Sequence, residues 1–363
     1  IYVLWARGAP LHGAARFANE REIKRHGFRA AVGIVLGRKR GRFLTFGGSE
    51  HVIVEAPTRS GKGTGIVIPN LLTWQGSVVV LDVKRENYDA SAGFRAHYGQ
   101  QVFLFNPTDR EGRTARYNPL AYIDRTDPDD VIIELQKIAT MLFVAPEHGE
   151  AFWANGARTG FAGVGAWLAE TSDEPLTMGA IYRHLTDGDV RSYFKMELAN
   201  PRLNLSTGCR TALSDFAGGS DNSFADIKKT ITNVLGLWLN PLVDAATATS
   251  DFDLRQLRSR PMSIYLGVSP DELDRIAPLY NLLFQHLIDL YVRAVPDENS
   301  AVPVLVILDE FARLGRASVI ASAFSYVAGY GIRLMPVIQS RSQLRGVYGE
   351  PVAEETVANC AVE

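Results

Sequence analysis

The chain has 363 residues, of which 46% are hydrophobic and 21% are charged, and its net charge is −2. This ordinary globular composition excludes an intrinsically disordered chain, and the length allows one large domain or two medium ones. The near-neutral charge excludes a protein that is basic throughout, although a local ring of arginines can still bind nucleic acid, and two cysteines exclude a disulfide framework and favour a reducing compartment.

Residues 1–50 form an N-terminal segment that precedes the first motif. Within it, GIVLGRKRGRFLTF (33–46) has apolar residues on both sides of a Gly-Arg-Lys-Arg-Gly turn, which predicts a β-hairpin. The sequence contains no apolar run of about 18 residues, so it predicts no transmembrane helix. Because the chain starts without methionine and stops as an apolar run begins in VANCAVE, we expect both ends to be cuts in a longer protein.

A glycine-rich loop follows a short β-branched strand, HVIVE (51–55). The loop APTRSGKGTG (56–65) is close to the phosphate-binding pattern G-x-x-x-x-G-K-[ST], with Ala56 at the first glycine and Gly63 at the hydroxyl position. Backbone N–H groups at such a strand-to-helix turn can hold phosphate, and Lys62 would reach the β- and γ-phosphates. The alternative is a glycine-rich turn that binds nothing.

We predict that this loop binds a nucleotide through Thr58, Arg59, Ser60, Gly61, Lys62, Gly63 and Thr64. Gly63 removes the hydroxyl that normally contacts Mg²⁺, and Thr64, one residue later, is the candidate replacement. The next stretch, GIVIPNLLTW, is predicted to be a short or bent helix because it contains Pro69.

Strands and helices alternate after the loop. The pattern predicts strands at 77–83 and 101–105 with a helix at 86–98 between them, and therefore a parallel sheet covered on both faces. Asp82, Lys84 and Glu86 would lie at the carboxyl edge of this sheet, where ligands of open α/β sheets bind. A salt-bridged strand end would explain the same residues equally well.

From residue 128 to residue 249 the sequence has helical periodicity and almost no strand signal. Strand signals return at PMSIYLGV (261–268). We therefore predict an α/β domain in two parts, residues 51–127 and 250–363, interrupted by an all-α domain at 128–249.

The second part carries two further candidate site segments. The apolar strand VPVLVILDE ends in Asp309 and Glu310, which suit a P-loop ATPase: the first carboxylate holds hydrated Mg²⁺ and the second polarises the attacking water. A helix N-cap pair is the alternative. The helix 317–330 and the strand GIRLMPVIQ follow, and Gln339 at the end of that strand could contact the γ-phosphate or be an exposed polar strand end.

The chain resembles the TraG-like coupling ATPases of type IV secretion systems. The matching stretches run along nearly the whole chain and include LHGAARFA, APTRSGKGTGIVIPNLLTWQGSVVVLDVKRENY, RYNPLAYI, ILDEFARLGR and VIQSRSQLRGVYG. The TRSGKG form of the loop, with Gly63, is common in this family. One departure is Arg85, where family members often have glycine.

The resemblance implies a RecA-like P-loop fold with an inserted all-α domain, ATP and Mg²⁺ as ligands, and assembly as a homo-hexamer. It implies that Lys62 and its loop bind the phosphates, that Asp309 holds the metal, that Glu310 is the catalytic base, and that Gln339 senses the γ-phosphate. An arginine from a neighbouring subunit would complete the site, and the candidates are Arg313, Arg316, Arg341 and Arg345.

The same resemblance places the protein at the cytoplasmic face of the bacterial inner membrane, anchored by transmembrane helices that this chain lacks. There it would pass relaxase–DNA complexes, effector proteins or adaptors to the components of the secretion channel. Two other functions fit the residues: a nucleotide-regulated recruitment platform with little motor activity, and a pump for double-stranded DNA. The sequence does not choose between DNA and protein cargo.

Overall fold

The computed structural model describes residues 16–145, 151–297, 301–315 and 317–363. The strands within them are β1 Ile34–Lys39, β2 Arg42–Phe46, β3 His51–Val52, β4 Val54–Glu55, β5 Ser77–Val83, β6 Gln101–Phe105, β7 Met262–Val268, β8 Val304–Asp309, β9 Ile332–Ile338 and β10 Cys360–Val362. The α-helices are α1 Glu20–Arg25, α2 Ile68–Thr73, α3 Glu86–His97, α4 Pro128–Leu142, α5 Phe152–Thr171, α6 Met178–Thr186, α7 Val190–Ala199, α8 Thr207–Gly218, α9 Asp221–Val234, α10 Pro241–Ala246, α11 Leu273–Val292, α12 Ser318–Ala323, α13 Arg341–Tyr348 and α14 Glu350–Ala358.

The centre of the molecule is a six-stranded parallel sheet with the strand order β4-β9-β8-β5-β7-β6. Every residue of β5 and β7 is buried, as expected for strands that are covered on both faces. Because the strands are parallel, their carboxyl ends meet at one edge of the sheet. The ends of β4, β5, β8 and β9 therefore carry the candidate site residues to the same place.

The two faces of this sheet are covered by different parts of the chain. On β5, Val78 and Val80 pack in a cluster with Leu71 of α2, on the face that also meets the hairpin. Val79 and Leu81 point to the opposite face and join a larger cluster that continues into the helices of residues 128–249. The alternation along one strand thus joins the sheet to both neighbouring layers.

Within the described residues between 128 and 249, every regular element is helical. Helix α5 is the buried centre of this segment, and it packs against α4, α8 and α9. Close packing requires small residues on α5, because a Cβ atom at Gly160 would lie 2.7 Å from the ring of Phe216. The division of the chain into domains at these boundaries remains a prediction.

Most predicted elements are present. The hairpin is confirmed as the antiparallel pair β1–β2. The stretch with Pro69 is indeed irregular: a π-helical turn, Gly63–Val67, comes before the short helix α2, in which proline occupies a position near the first turn. Proline has no N–H to donate there, so the start of a helix tolerates it.

Two element predictions need correction. HVIVE is two short strands, because Ile53 donates its N–H to Val362 of β10 and the pairing then passes to β9. The helix predicted at 317–330 ends at Ala323, where the Ser325 hydroxyl bonds to the Ser322 carbonyl and competes with helix continuation, and a 3₁₀ turn follows. Helix α14 was not predicted. None of the helices in the described part of the chain is both long and apolar enough to cross a bilayer.

Candidate functional site

The loop after β4 presents unused backbone donors. Gly61 has a left-handed φ of 86°, which glycine adopts without strain, and the helical turns begin directly after Lys62. Among the described residues, no group accepts a hydrogen bond from the amides of Gly61, Lys62, Gly63 or Thr64. First-turn amides without acceptors suit an anion, so the loop has the donor set that a phosphate requires.

The Lys62 ammonium folds back over its own loop. Its Nζ atom donates to the carbonyl of Ala56 at 2.6 Å and lies 3.5 Å from the carbonyl of Pro57. Burial raises the pKa of Asp309, and the Asn87 amide and the Lys62 ammonium both oppose that rise. The Lys62 ammonium therefore favours the charged form of the carboxylate at the end of β8.

Glu310 follows β8 in a strained backbone conformation. Its φ of 55° and ψ of 42° are left-handed, which costs a non-glycine residue roughly 1–2 kcal/mol. Its side chain does not cap the 3₁₀ turn that follows, so the helix N-cap interpretation of this residue is wrong. The two carboxylate oxygens instead accept hydrogen bonds from the Gln339 amide, at 3.1 and 2.9 Å.

Gln339 joins the loop to the Glu310 carboxylate. Its Oε1 atom accepts a hydrogen bond of 3.0 Å from the Thr58 hydroxyl, while its Nε2 atom donates to Glu310. The side chain is half-buried, so it is not the solvent-exposed strand end that was the alternative. A continuous chain of hydrogen bonds thus runs from Thr58 through Gln339 to Glu310 across the sheet edge.

Asp82 is neither exposed nor salt-bridged within the described residues. It is completely buried and accepts hydrogen bonds from the amides of Asn87 at 3.1 Å and Tyr88 at 2.7 Å, so it holds the start of α3. Burial raises the pKa of Asp82 to about 6. Lys84 and Glu86, which belong to the same predicted cluster, are exposed.

Asn87 is a site residue that the sequence analysis missed. Its Nδ2 atom lies 3.4 Å from Asp309 Oδ2, a long hydrogen bond, and its main-chain amide donates to Asp82. It therefore connects the ends of β5 and β8. The available signal was its position in the first turn of a helix that starts at the same sheet edge.

The buried carboxyl of Asp82 makes stability depend on pH. Its pKa of about 6 lies above the ordinary aspartate value of about 3.9, so the folded state binds the proton more tightly than the unfolded state. The stabilisation by protonation is complete below about pH 4 and is lost as the pH rises through about 6. Between these limits, we expect the unfolding free energy of the wild type to fall by roughly 2–3 kcal/mol more than that of Asp82→Asn.

Urea unfolding at several pH values would measure this difference. Asp215→Asn is the matched control, because Asp215 is an exposed aspartate, and it should retain the wild-type slope. Equal slopes for the wild type and Asp82→Asn would contradict the assignment.

The candidate arginines for a neighbouring subunit's site are held within the chain, apart from Arg316, which lies outside the described residues. The contacts are Arg313 with the Pro270 carbonyl at 2.8 Å, Arg341 with Glu55 at 3.3 Å, and Arg345 with Glu354 at 2.6 Å. Each of these three arginines is therefore already engaged by a group of its own chain.

Two further predicted positions have clear local roles. Thr64 is exposed, so its hydroxyl is accessible to solvent, and this hydroxyl lies 3.4 Å from the Gly61 carbonyl. Its contact with a metal remains a prediction. Arg85 has a left-handed φ of 63°, and this explains physically why glycine would suit the same position.

Comparison with known sequences places the chain in a family. The family model described as "Type IV secretory system Conjugative DNA transfer" matches residues 14–363. The chain belongs to this family. It is 35% identical to the protein VirD4 of Rhizobium radiobacter over 376 residues, which cover 99% of this chain and 53% of VirD4. It is 29% identical to the conjugal transfer protein TraG of Escherichia coli, over 97% of this chain and 61% of TraG.

Solved structures show the same fold. The plasmid coupling protein TrwB in complex with the non-hydrolysable ATP analogue ADPNP has a TM-score of 0.68 at 18% identity, over 95% of this chain and 76% of TrwB. TrwB in complex with ADP and Mg²⁺ has a TM-score of 0.67 at 19% identity, with the same coverage. The chain therefore has the predicted α/β RecA-like P-loop fold, and it spans about half the length of the VirD4 proteins.

Proposed function

We propose that this chain is the nucleotide-binding part of a type IV secretion coupling ATPase. The observation that carries the proposal is the hydrogen-bonded chain Thr58–Gln339–Glu310, which lies beside Lys62 and Asp309 at one sheet edge. A loop and two strand ends that are distant in sequence meet there, as a triphosphate site requires. Membership of the conjugative DNA transfer family supports the same function.

The residues present fit ATP and Mg²⁺. The free amides of Gly61 to Thr64 and the Lys62 ammonium would hold the phosphates, and Asp309, with the Thr64 hydroxyl, would hold the metal. Magnesium binds through few carboxylates and keeps its waters and phosphate oxygens, so it does not need a cluster of acids. Bound Mg²⁺ supplies charge neutralisation at the phosphates.

The chain's own residues then divide the chemistry of hydrolysis. Glu310 takes a proton from the water that attacks the γ-phosphate, and its carboxylate retains lone pairs beyond those used by Gln339. Gln339 donates to the γ-phosphate when its contact with Glu310 opens. Gln339 also accepts a hydrogen bond from Thr58. A movement of the phosphate-binding loop would therefore be accompanied by a movement of the Glu310 carboxylate that activates water.

The proposal extends to assembly and partners. We propose, from the resemblance to coupling ATPases, that the protein assembles as a homo-hexamer at the cytoplasmic face of the inner membrane and that an arginine is supplied between subunits. The cargo would be a relaxase–DNA complex or an effector protein that is passed to the channel components. The helical residues 128–249 are the candidate region for cargo contact.

A nucleotide-binding and hydrolysis assay on the 363-residue chain tests the proposal. We expect a fluorescent ATP analogue to bind in the presence of Mg²⁺, to bind more weakly with EDTA, and to be displaced by ADP. ATP hydrolysis, measured by phosphate release at high protein concentration, should depend on Mg²⁺. Absence of nucleotide binding would reject the ATPase, and tight binding with no turnover in the assembled full-length protein would favour the recruitment platform.

A further inference from the structure

We infer that α1 and the β1–β2 hairpin form a docking surface for an anionic phospholipid membrane, separate from the nucleotide site. The surface, called here the basic unit, comprises residues 16–46. It combines a high positive charge with exposed apolar side chains, and this combination fits the boundary between lipid head groups and acyl chains.

The helix and the hairpin of the basic unit are joined to each other. The Arg29 guanidinium donates to both Glu20 oxygens of α1, at 2.8 and 2.9 Å, and to the main-chain carbonyl of Arg42 at 3.2 Å. The amide of Thr45 donates to the carbonyl of Phe28 at 3.1 Å. Cations on the helix and on the hairpin are therefore held in one unit.

Charge is concentrated in this unit. Residues 16–46 contain nine lysines and arginines and two glutamates, a net charge of +7 in a chain whose total is −2. Both glutamates are engaged in ion pairs with other cations of the unit, Glu20 with Arg29 and Glu22 with Arg16. Five other cations of the unit are exposed and make no ion pair with any described residue: Arg21, Lys24, Arg25, Arg38 and Arg40.

These cations form two sets, one on α1 and one on the hairpin. Arg21, Lys24 and Arg25 have the spacing i, i+3, i+4, so they lie on one face of α1. Arg38 and Arg40 lie at the tip of the hairpin. Because none of these five cations makes an ion pair with a described residue, both sets would gain from an external anionic surface, and the gain would fall as salt increases.

Apolar side chains are exposed on the same unit. Phe17 is 97% exposed, Val32 is 58% exposed and Phe43 is 48% exposed. Phe43 is the cross-strand partner of Arg38, so the two side chains lie on the same face of the hairpin. A ring beside a cation at a hairpin tip can enter the acyl boundary while the cation stays with the head groups.

This pairing favours a membrane over duplex nucleic acid. The phosphates of duplex nucleic acid would bind the cations, but a duplex would gain little binding free energy from exposed Phe and Val side chains. Both kinds of side chain strengthen binding to a lipid surface, since membrane affinity rises with buried apolar area and with the number of cations near the surface. The proposal therefore predicts that both Arg38 and Phe43 contribute to binding.

Vesicle co-sedimentation of the 363-residue chain tests this inference. We expect stronger binding to vesicles that contain phosphatidylglycerol than to vesicles of phosphatidylcholine alone. Arg38→Ala/Arg40→Ala and, separately, Arg21→Ala/Arg25→Ala should each weaken binding to the anionic vesicles by about 25-fold, or fivefold per charge. Phe43→Ala should weaken it by at least threefold without a change of charge.

Controls separate this surface from general charge and from misfolding. Lys195→Ala/Arg202→Ala removes two exposed cations on the helical segment, and it should bind vesicles like the wild type. Thermal unfolding and nucleotide binding should be unchanged in every variant. Equal wild-type binding to both kinds of vesicle would overturn the inference. So would arginine variants that weaken binding to duplex DNA but not to anionic vesicles, or a Phe43→Ala variant with full vesicle affinity.

Discussion

Replacing Glu310 with glutamine is expected to reduce ATP hydrolysis by about 10³-fold while nucleotide binding is retained. A positioned general base contributes roughly 10²–10⁴-fold to the rate, and the amide of glutamine cannot accept the proton of the attacking water. The proposal thus assigns to Glu310 a role in the chemical step and not in affinity.

The structure shows why this substitution is conservative. Glu310 accepts hydrogen bonds from the Gln339 amide, at 2.9 Å for the shorter one. A glutamine oxygen at position 310 can accept the same bond, so the connection to Thr58 through Gln339 survives. Both residues can also keep the left-handed backbone found at this position, because neither is β-branched.

Steady-state turnover and nucleotide affinity should be measured together, in the assembled full-length protein. Glu111→Gln is the matched control, because Glu111 is an exposed glutamate in the loop after β6. Its turnover should equal that of the wild type. Normal turnover in Glu310→Gln would show that Glu310 is not the base, and loss of nucleotide binding would show that its role is structural.

The sequence predicts the frame of the site because burial leaves a strong pattern. Strand β5 is an apolar run with Asp82 next to its last residue, and β8 is an apolar run that ends in Asp309. Parallel strands bring their carboxyl ends together. The glycine loop is recognisable because position 61 has a left-handed φ that glycine adopts without strain, and because the amides after it can bind an anion. These features are local in the chain, so reading one sequence is sufficient.

The contacts between side chains of different strands could not be predicted in the same way. Asn87 reaches Asp309, and Thr58 reaches Gln339, only because β5, β8, β9 and the loop after β4 are neighbours in space. The left-handed conformation of Glu310 is likewise invisible in sequence, since glutamate carries no signal for positive φ. Such details depend on register and turn geometry, which residue type alone does not determine.

The burial of Arg95, which matters for stability, also could not be predicted from residue type. A charged residue in the last turn of a helix is expected to face solvent, but Arg95 in the last turn of α3 is 2% exposed. Its guanidinium donates to the Ser263 hydroxyl and to the carbonyls of Leu71, Trp74 and Gly76, so four separate chain positions satisfy it. Burial lowers the pKa of Arg95 to about 10, which leaves it charged at neutral pH.

Lys62→Ala is expected to weaken ATP binding by roughly 100-fold, because a hydrogen bond to a charged group contributes about 1.5–3 kcal/mol and this lysine faces a triphosphate. In the free chain the Nζ atom is held by the Ala56 carbonyl at 2.6 Å, so binding must exchange that contact for phosphate oxygens. Since the lost contact is partly exposed, the stability of the fold should change little, and the defect should appear as a weaker affinity for ATP.

Titration with a fluorescent ATP analogue would measure this affinity, with Lys229→Ala, an exposed lysine of α9, as the control. A second readout follows from the electrostatics: the Lys62 ammonium opposes the burial-driven rise in the pKa of Asp309, so its removal should raise that pKa further and weaken Mg²⁺-dependent binding most at low pH. Wild-type affinity in Lys62→Ala would mean that the loop does not bind phosphate.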